Sequence, residues 1–273
     1  MKKIHLLSID PQVDFCSPTG ALSVKGADAD MDRLSNFLIK FSDKIDDIHV
    51  TLDSHQELHI AHPIFWKNRD GKHPDPFTMI TLKDFNNGLY RTSVPSLQKY
   101  AGEYLAGLEK NGRYTLTIWN PHCLIGTPGA CVYPSFANAL SHWAKSQYGT
   151  VNYVPKGSSY KTEHYSAIQS DYPDPADATT QINVGFLNML QEADIILLTG
   201  EAKSHCLNYT VRDACNFFND DSLAKKMVLL EDCTSPVWHP LPNVNQIFID
   251  MADGFVKEMT SRGMQVSNTK DFF

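Results

Sequence analysis

The chain has 273 residues, 42% of them hydrophobic and 20% charged, which is ordinary globular make-up with room for one large α/β domain or two small ones. With 24 basic against 31 acidic side chains the net charge is −7, which argues against nucleic acid or an anionic membrane as partner. The opening "MKKIHLLSIDPQ" has an apolar run of only a few residues before Asp10, too short for a signal peptide or a membrane span. It reads as a first buried strand. Six cysteines without a CxxC pair are expected to be reduced thiols, and the expected compartment is the cytoplasm.

Short apolar, β-branched runs recur at 3–10, 47–53, 115–119, 151–156, 193–200 and 226–232. Helical stripes lie between and after them. Leu34, Phe37, Leu38, Phe41 and Ile45 form one, and Phe136, Leu140, Trp143 and Ala144 another. Val184, Leu187 and Leu190 make a third; Leu207, Val211, Ala214 and Phe218 a fourth; Val244, Ile247, Phe248, Met251, Phe255 and Met259 a fifth. Strands alternating with helices predict βαβ units and a mainly parallel sheet covered on both faces, in one doubly wound domain over 1–273. Residues 63–113, with the loop-like "KNRDGKHPDPF", read as an insertion after the second strand, near the ligand end; "QSDYPDPADATTQ" (169–181) reads as a second loop there.

In such folds ligands bind at the carboxyl ends of the strands. Those ends carry Asp10, Asp53 with His55, Trp119 to His122, Lys156, and the Gly200–Cys206 turn. The stretch "LLTGEAKSHCLNYTVRDA" sets Cys206 where a buried strand runs into a helix, and a helix N-terminus favours the thiolate. A lone cysteine is as a rule a small core residue, so its neighbours decide. Lys156 would favour the thiolate by charge, and Asp10 would take and return the proton. Asp53 and His55, two apart, share one side of a strand end. With His122 they make a three-ligand N and O set suited to catalytic zinc, iron or manganese, and Glu57, His59 and His62 stand close by for a fourth ligand.

"IDPQVDF", "DSH", "WNPHCLIGTPGA", "PKG" and "GEAKSHC" closely resemble the motifs of the nicotinamidases, within the isochorismatase-like cysteine hydrolases, in the family's order over residues 4 to about 235. The resemblance implies a three-layer α/β/α sandwich with a six-stranded sheet. It implies a triad of Asp10, Lys156 and Cys206, and metal ligands Asp53, His55 and His122, with His62 or His59 as a possible fourth. One divalent ion is expected, zinc ahead of iron or manganese, and no nucleotide cofactor. Phe15, Trp119 and Tyr165 resemble the aromatic residues around the substrate ring. A cis peptide is implied between Glu201 and Ala202, aiming the N–H of Ala202, with that of Cys206, at one oxygen. Glu201 departs from the small aliphatic residue usual there, and orienting the lysine, touching the substrate or forming an ion pair are its open roles. The implied reaction is metal-assisted hydrolysis of nicotinamide to nicotinate through a Cys206 thioester, in a homo-oligomer. Another amide, carbamoyl or ureido substrate is the alternative, and a non-catalytic binding protein on the same scaffold a remoter one.

Overall fold

In the computed structural model, which describes residues 2–273, the apolar runs Ile4–Ile9 (β1), Asp47–Asp53 (β2), Asn152–Lys156 (β3), Ile195–Gly200 (β4) and Met227–Leu230 (β5) lie side by side. With Gln265–Ser267 (β6) they form a six-stranded sheet in the order β6-β5-β4-β1-β2-β3, every neighbouring pair parallel. Parallel strands need crossovers. Ala27–Lys40 (α1), Gln98–Lys110 (α2), Pro134–Gln147 (α3), Val184–Gln191 (α4), Cys206–Phe217 (α5) and Pro242–Ser261 (α6) are the principal helices of the connections. α1 packs on α3 and α5 on α6, one pair to each face of the sheet. The central strands are apolar on both sides, with Leu6, Leu7, Ile196, Leu197 and Leu198 fully buried. From β1 the chain winds outward through β2 to β3, and from β4 it winds the other way. The switch point therefore falls between β1 and β4, where such folds open a crevice at the strand ends.

Two elements differ from the sequence reading. The run 115–119 is not a strand of this sheet, because β2 and β3 pair directly, Asp53 opposite Lys156. Its Leu116–Thr117 pairs antiparallel with Met79–Ile80 of the insertion instead. A short apolar run signals burial, not which sheet receives it. The sixth place is taken by β6, a three-residue edge strand with exposed Val266 and no apolar run to announce it. The first helical stripe also stops short of Phe41 and Ile45, since α1 ends at Lys40. Within 63–113 the chain forms a small antiparallel pair, Trp66–Asn68 with Tyr90–Thr92, and then α2, which buries Ala101, Tyr104, Leu105 and Leu108. Among the described residues no helix is long and apolar enough to cross a membrane.

Candidate active site

Four adjacent strands each deliver one polar side chain to the crevice. Asp10 follows β1 directly, held at φ +43°; β2 ends at Asp53 and β3 at Lys156; the turn after β4 leads to Cys206, the first residue of α5. All four are buried. Lys156 Nζ lies 2.8 Å from Asp10 Oδ2, 2.9 Å from Asp53 Oδ1 and 3.5 Å from Cys206 Sγ, and donates to the His164 carbonyl at 3.0 Å. Burial alone would strip this ammonium of its proton, but Asp10 and Asp53 hold its pKa well above the usual lysine value. Asp53 is likewise burdened by burial, yet His55 and Lys156 keep its carboxyl well below the usual range. Asp10 is moved the other way: burial outweighs Lys156 and raises it. Thr51 fixes Asp10 from β2, its hydroxyl donating to Oδ1 at 2.5 Å and accepting from the Asp10 N–H at 3.0 Å.

The thiol differs from expectation. Burial pushes the Cys206 pKa well up, against the pull of Lys156 and with the push of Asp10. The raised pKa favours a protonated thiol, beside a carboxylate of raised affinity for protons to which that proton could pass. The backbone N–H groups of Ala202 and Cys206, at the turn that carries the sulfur, find no acceptor among the described residues. That is the requirement for holding an oxyanion. The peptide between Glu201 and Ala202 is cis. Gly200, at φ +99°, is obligatory, since a Cβ there would sit 2.0 Å from the Ile9 carbonyl oxygen.

A histidine cluster adjoins the lysine. Asp53 Oδ2 is 3.0 Å from His55 Nε2 and 3.4 Å from His122 Nε2. His122 arrives on the Trp119–Leu124 loop, which runs alongside the extension of β2 through the bridge of His55 with Leu124, so it is not at the end of a sheet strand. His55, His62 and His122 each direct Nδ1 at a backbone carbonyl, of Gly157, Glu57 and Asn120, at 3.1, 3.1 and 2.7 Å. That contact suits a proton on Nδ1, so that Nε2 is the atom each would offer to a cation. The Nε2 atom of His62 is buried with no hydrogen-bond partner and that of His55 faces only the Asp53 carboxylate, an arrangement that a shared cation would satisfy. His59 is spent otherwise: Nε2 faces the Thr162 carbonyl at 3.1 Å and Nδ1 accepts from the Ala61 N–H at 3.2 Å. One donor atom each of Asp53, His55 and His122 falls within 4.8 Å of the others. The residues thus fit a divalent ion of the zinc class, with His62 better prepared than His59 to join them.

Above Cys206 lies a largely apolar cavity of about 380 Å³, counting its open mouth. Phe15, Trp119 and Tyr165 line it, together with His122, Ala202 and Cys206. Trp119 Nε1 donates to the Tyr165 hydroxyl at 2.9 Å. Glu201 does not line it: its side chain points away, with Oε2 accepting from the Ser235 N–H at 3.1 Å, so a substrate contact is ruled out by geometry. Several residues here escaped the sequence reading. Glu163, Leu22, Val24, His205 and Val237 also face the cavity, most of them from loops without periodicity. Gln12 and Asp14 had a signal, since both lie inside "IDPQVDF". Gln12 clasps the backbone of Asp53, and Asp14 Oδ2 accepts from the Cys123 N–H at 2.7 Å.

No family model and no curated protein matches the sequence. Solved structures do. The yeast nicotinamidase superposes with a TM-score of 0.63 over 97% of this chain and 99% of its own, at 19% identity. An Acinetobacter baumanii nicotinamidase/pyrazinamidase gives 0.63 over 100% and 99%, at 18% identity. The chain has the nicotinamidase fold. The Pyrococcus horikoshii pyrazinamidase, solved in complex with zinc, gives 0.53 over 97% and 99%, at 18% identity.

Proposed function

We propose that the chain is a cysteine amidohydrolase that releases ammonia from a small aromatic amide of the nicotinamide type. The observation that carries this reading is the buried run Asp10–Lys156–Cys206 beside two unpaired backbone N–H groups, at a largely apolar cavity lined by aromatic rings. The named activity of the similarly folded enzymes supports the substrate class.

In the proposed sequence the Cys206 proton passes to Asp10 while the sulfur bonds to the amide carbonyl carbon. The N–H groups of Ala202 and Cys206 hold the oxyanion, an arrangement commonly worth ~3 kcal/mol per donor. The C–N bond then breaks and Asp10 returns the proton to the departing nitrogen, which leaves as ammonia. Water adds to the thioester, giving a proton to Asp10, which passes it back to Cys206 as the acid departs. Lys156 balances the charge of Asp10 and Asp53 throughout. Asp53, His55 and His122, with His62, would hold a divalent ion, zinc by analogy with the zinc-bound structure of similar fold. When bound, such an ion supplies a Lewis acid that anchors a ring nitrogen. Phe15, Trp119 and Tyr165 would sandwich the ring. The chain works as one domain, with 63–113 as an insertion beside the site.

The test is ammonia release from nicotinamide by purified protein, before and after chelation, with Cys206→Ala as control. Release that a chelator stops and zinc restores is expected, with C206A inactive by at least ~10³-fold yet unchanged in metal content. Turnover by C206A would overturn the assignment.

A further inference from the structure

Glu201 is fully buried immediately before the Ala202 N–H, and the reaction described above gives it no task. Its backbone N–H donates to the Ile9 carbonyl at 2.7 Å and its Oε2 accepts from the Ser235 N–H at 3.1 Å. Its Oε1 finds no donor at all. Close to it on α1 is a second buried carboxyl, Asp30, and the two share Ser235, whose N–H donates to Glu201 and whose hydroxyl donates to Asp30. Asp30 is the better provided of the two: Oδ1 pairs with Arg33, and Oδ2 accepts from the Ser235 hydroxyl at 2.6 Å. With two buried carboxyls on one serine and the nearest guanidinium taken by Asp30, a charge on Glu201 has no partner, which favours its protonated form. A proton on Glu201 would turn its orphaned oxygen from an unpaired acceptor into a donor, on the side of the shared serine where Asp30 lies.

We propose that Glu201 is a positioning residue, a neutral hydrogen-bond donor to Asp30 whose contact holds the Ala202 N–H at the oxyanion position. This rests on the amide-hydrolase reading. The same strap carries a second tie, from the Lys203 N–H to the Ser235 carbonyl at 2.9 Å, and Val237, two residues beyond Ser235, lines the cavity. Glu201, Asp30 and Ser235 thus clamp the oxyanion turn to one wall of the pocket. Neutrality has a use of its own, because an ionised carboxylate behind the same peptide unit would oppose the negative charge developing in front of it. Burial and Asp30 push the Glu201 carboxyl well up. The other groups facing it leave it neutral. Lys203 is paired with Glu231 at 3.6 Å, and the buried thiols of Cys16 and Cys233 are raised by burial.

Two reagents separate this role from a general loss of structure. Iodoacetamide alkylates Cys206 without forming an oxyanion, whereas pyridine-3-carbaldehyde adds to the thiol and leaves its oxygen between the two N–H groups. In E201A, aldehyde binding is expected to weaken at least tenfold while alkylation stays within threefold of wild type. In E201Q, whose amide donates to Asp30 and accepts from Ser235, both stay within threefold. Glutamine as damaging as alanine, both variants indifferent, or aldehyde binding and alkylation falling together would each overturn the proposal. A wild-type Cys206 inert to both reagents would bring down the hydrolase reading and this role with it. Should E201A not fold, kcat against pH decides. The wild type is expected to fall on the alkaline side as Glu201 ionises and E201Q to stay level, with Asp10, Lys156 and Cys206 common to both; parallel profiles refute the role.

Discussion

Gln12 is the place to strike the candidate metal site without touching a ligand. It is fully buried, and its amide bridges three backbone groups. Oε1 accepts from the Asp53 N–H at 2.7 Å, while Nε2 donates to the Asp53 carbonyl at 2.7 Å and to the Ala130 carbonyl at 2.9 Å. Gln12 therefore imitates a strand neighbour for the last residue of β2, at the point where β1 has already turned away. Replacing it with alanine removes three hydrogen bonds at ~1 kcal/mol each and leaves the buried Asp53 N–H unpaired, for ~1 kcal/mol more. The expected loss is thus ~4 kcal/mol, well beyond a typical point mutation. Freed from its clasp, Asp53 should also hold metal less well, by the 10–100-fold usual for the loss of a group supporting a ligand. Urea unfolding at fixed pH reads the first number, and competition with a chelating dye reads the second. Q12E is the informative companion: it keeps the acceptor for the Asp53 N–H but loses both donated bonds and adds a carboxylate beside Asp53, so it should not rescue. Q12A within 1 kcal/mol of wild type, or destabilised with undiminished metal affinity, refutes the reasoning.

Gly157→Ala should be comparably harmful from the opposite side, because at φ +78° its Cβ would come within 2.8 Å of Asp53 Oδ1 and His55 Cε1; full metal occupancy in the purified variant would show that the cradle is not that tight. At the far end of the sheet, Asn152 donates to His49 Nδ1 at 3.1 Å and His49 Nε2 meets His5 Nδ1 at 3.0 Å, in a buried pair. Burial holds the His49 imidazole at about 4, below its ordinary 6.5, so the unfolded chain takes up the proton first. Stability is whole above pH 6.5 and falls by up to ~3 kcal/mol as pH drops towards 4. Denaturant midpoints across that range should show a shallower decline in His49→Gln, and an equal slope would exclude His49 as the cause.

What the sequence disclosed about the site follows from how each residue is held. Asp10, Asp53, Lys156 and Cys206 are legible because parallel strands announce themselves by apolar runs and then stop, and the residue at the stop is placed by the sheet itself. The aromatic wall was legible only through motif resemblance, since no periodicity marks Trp119 or Tyr165. Glu163 and Val237 had neither aid. They reach the cavity on irregular loops, whose course depends on contacts such as that of Asp171 Oδ2 with the Tyr165 N–H at 3.2 Å, made between residues whose partners no local pattern reveals. The error over 115–119 has the same origin. Its burial was read correctly, but its partner, Met79–Ile80, lies in the insertion, and two-residue pairing leaves no trace in hydrophobic period.

Helix periodicity placed Cys206 at a helix start, but the electrostatics expected there are opposed by burial, which bears on how the site would work. A helix N-terminus and Lys156 were expected to favour the thiolate, with Asp10 taking and returning the proton. In the structure the sulfur is sealed under the cavity, where a standing charge would be poorly solvated, with Asp10 and Asp53 nearby to repel it. Lys156 is not a free cation for the sulfur, since it is already divided between those two carboxylates at 2.8 and 2.9 Å. The group with capacity to spare is Asp10, raised by the same burial. A thiol and a carboxylate whose proton affinities are both lifted can exchange a proton with little change in local charge, whereas a preformed thiolate would add a third negative group to the pair that Lys156 already serves. In the proposed reaction the thiolate would exist only while a carbonyl is being attacked, with the N–H groups of Ala202 and Cys206 taking up the charge it passes on. The lysine then does its work by keeping Asp10 a base, and its removal should cost the reaction through Asp10 at least as much as through Cys206.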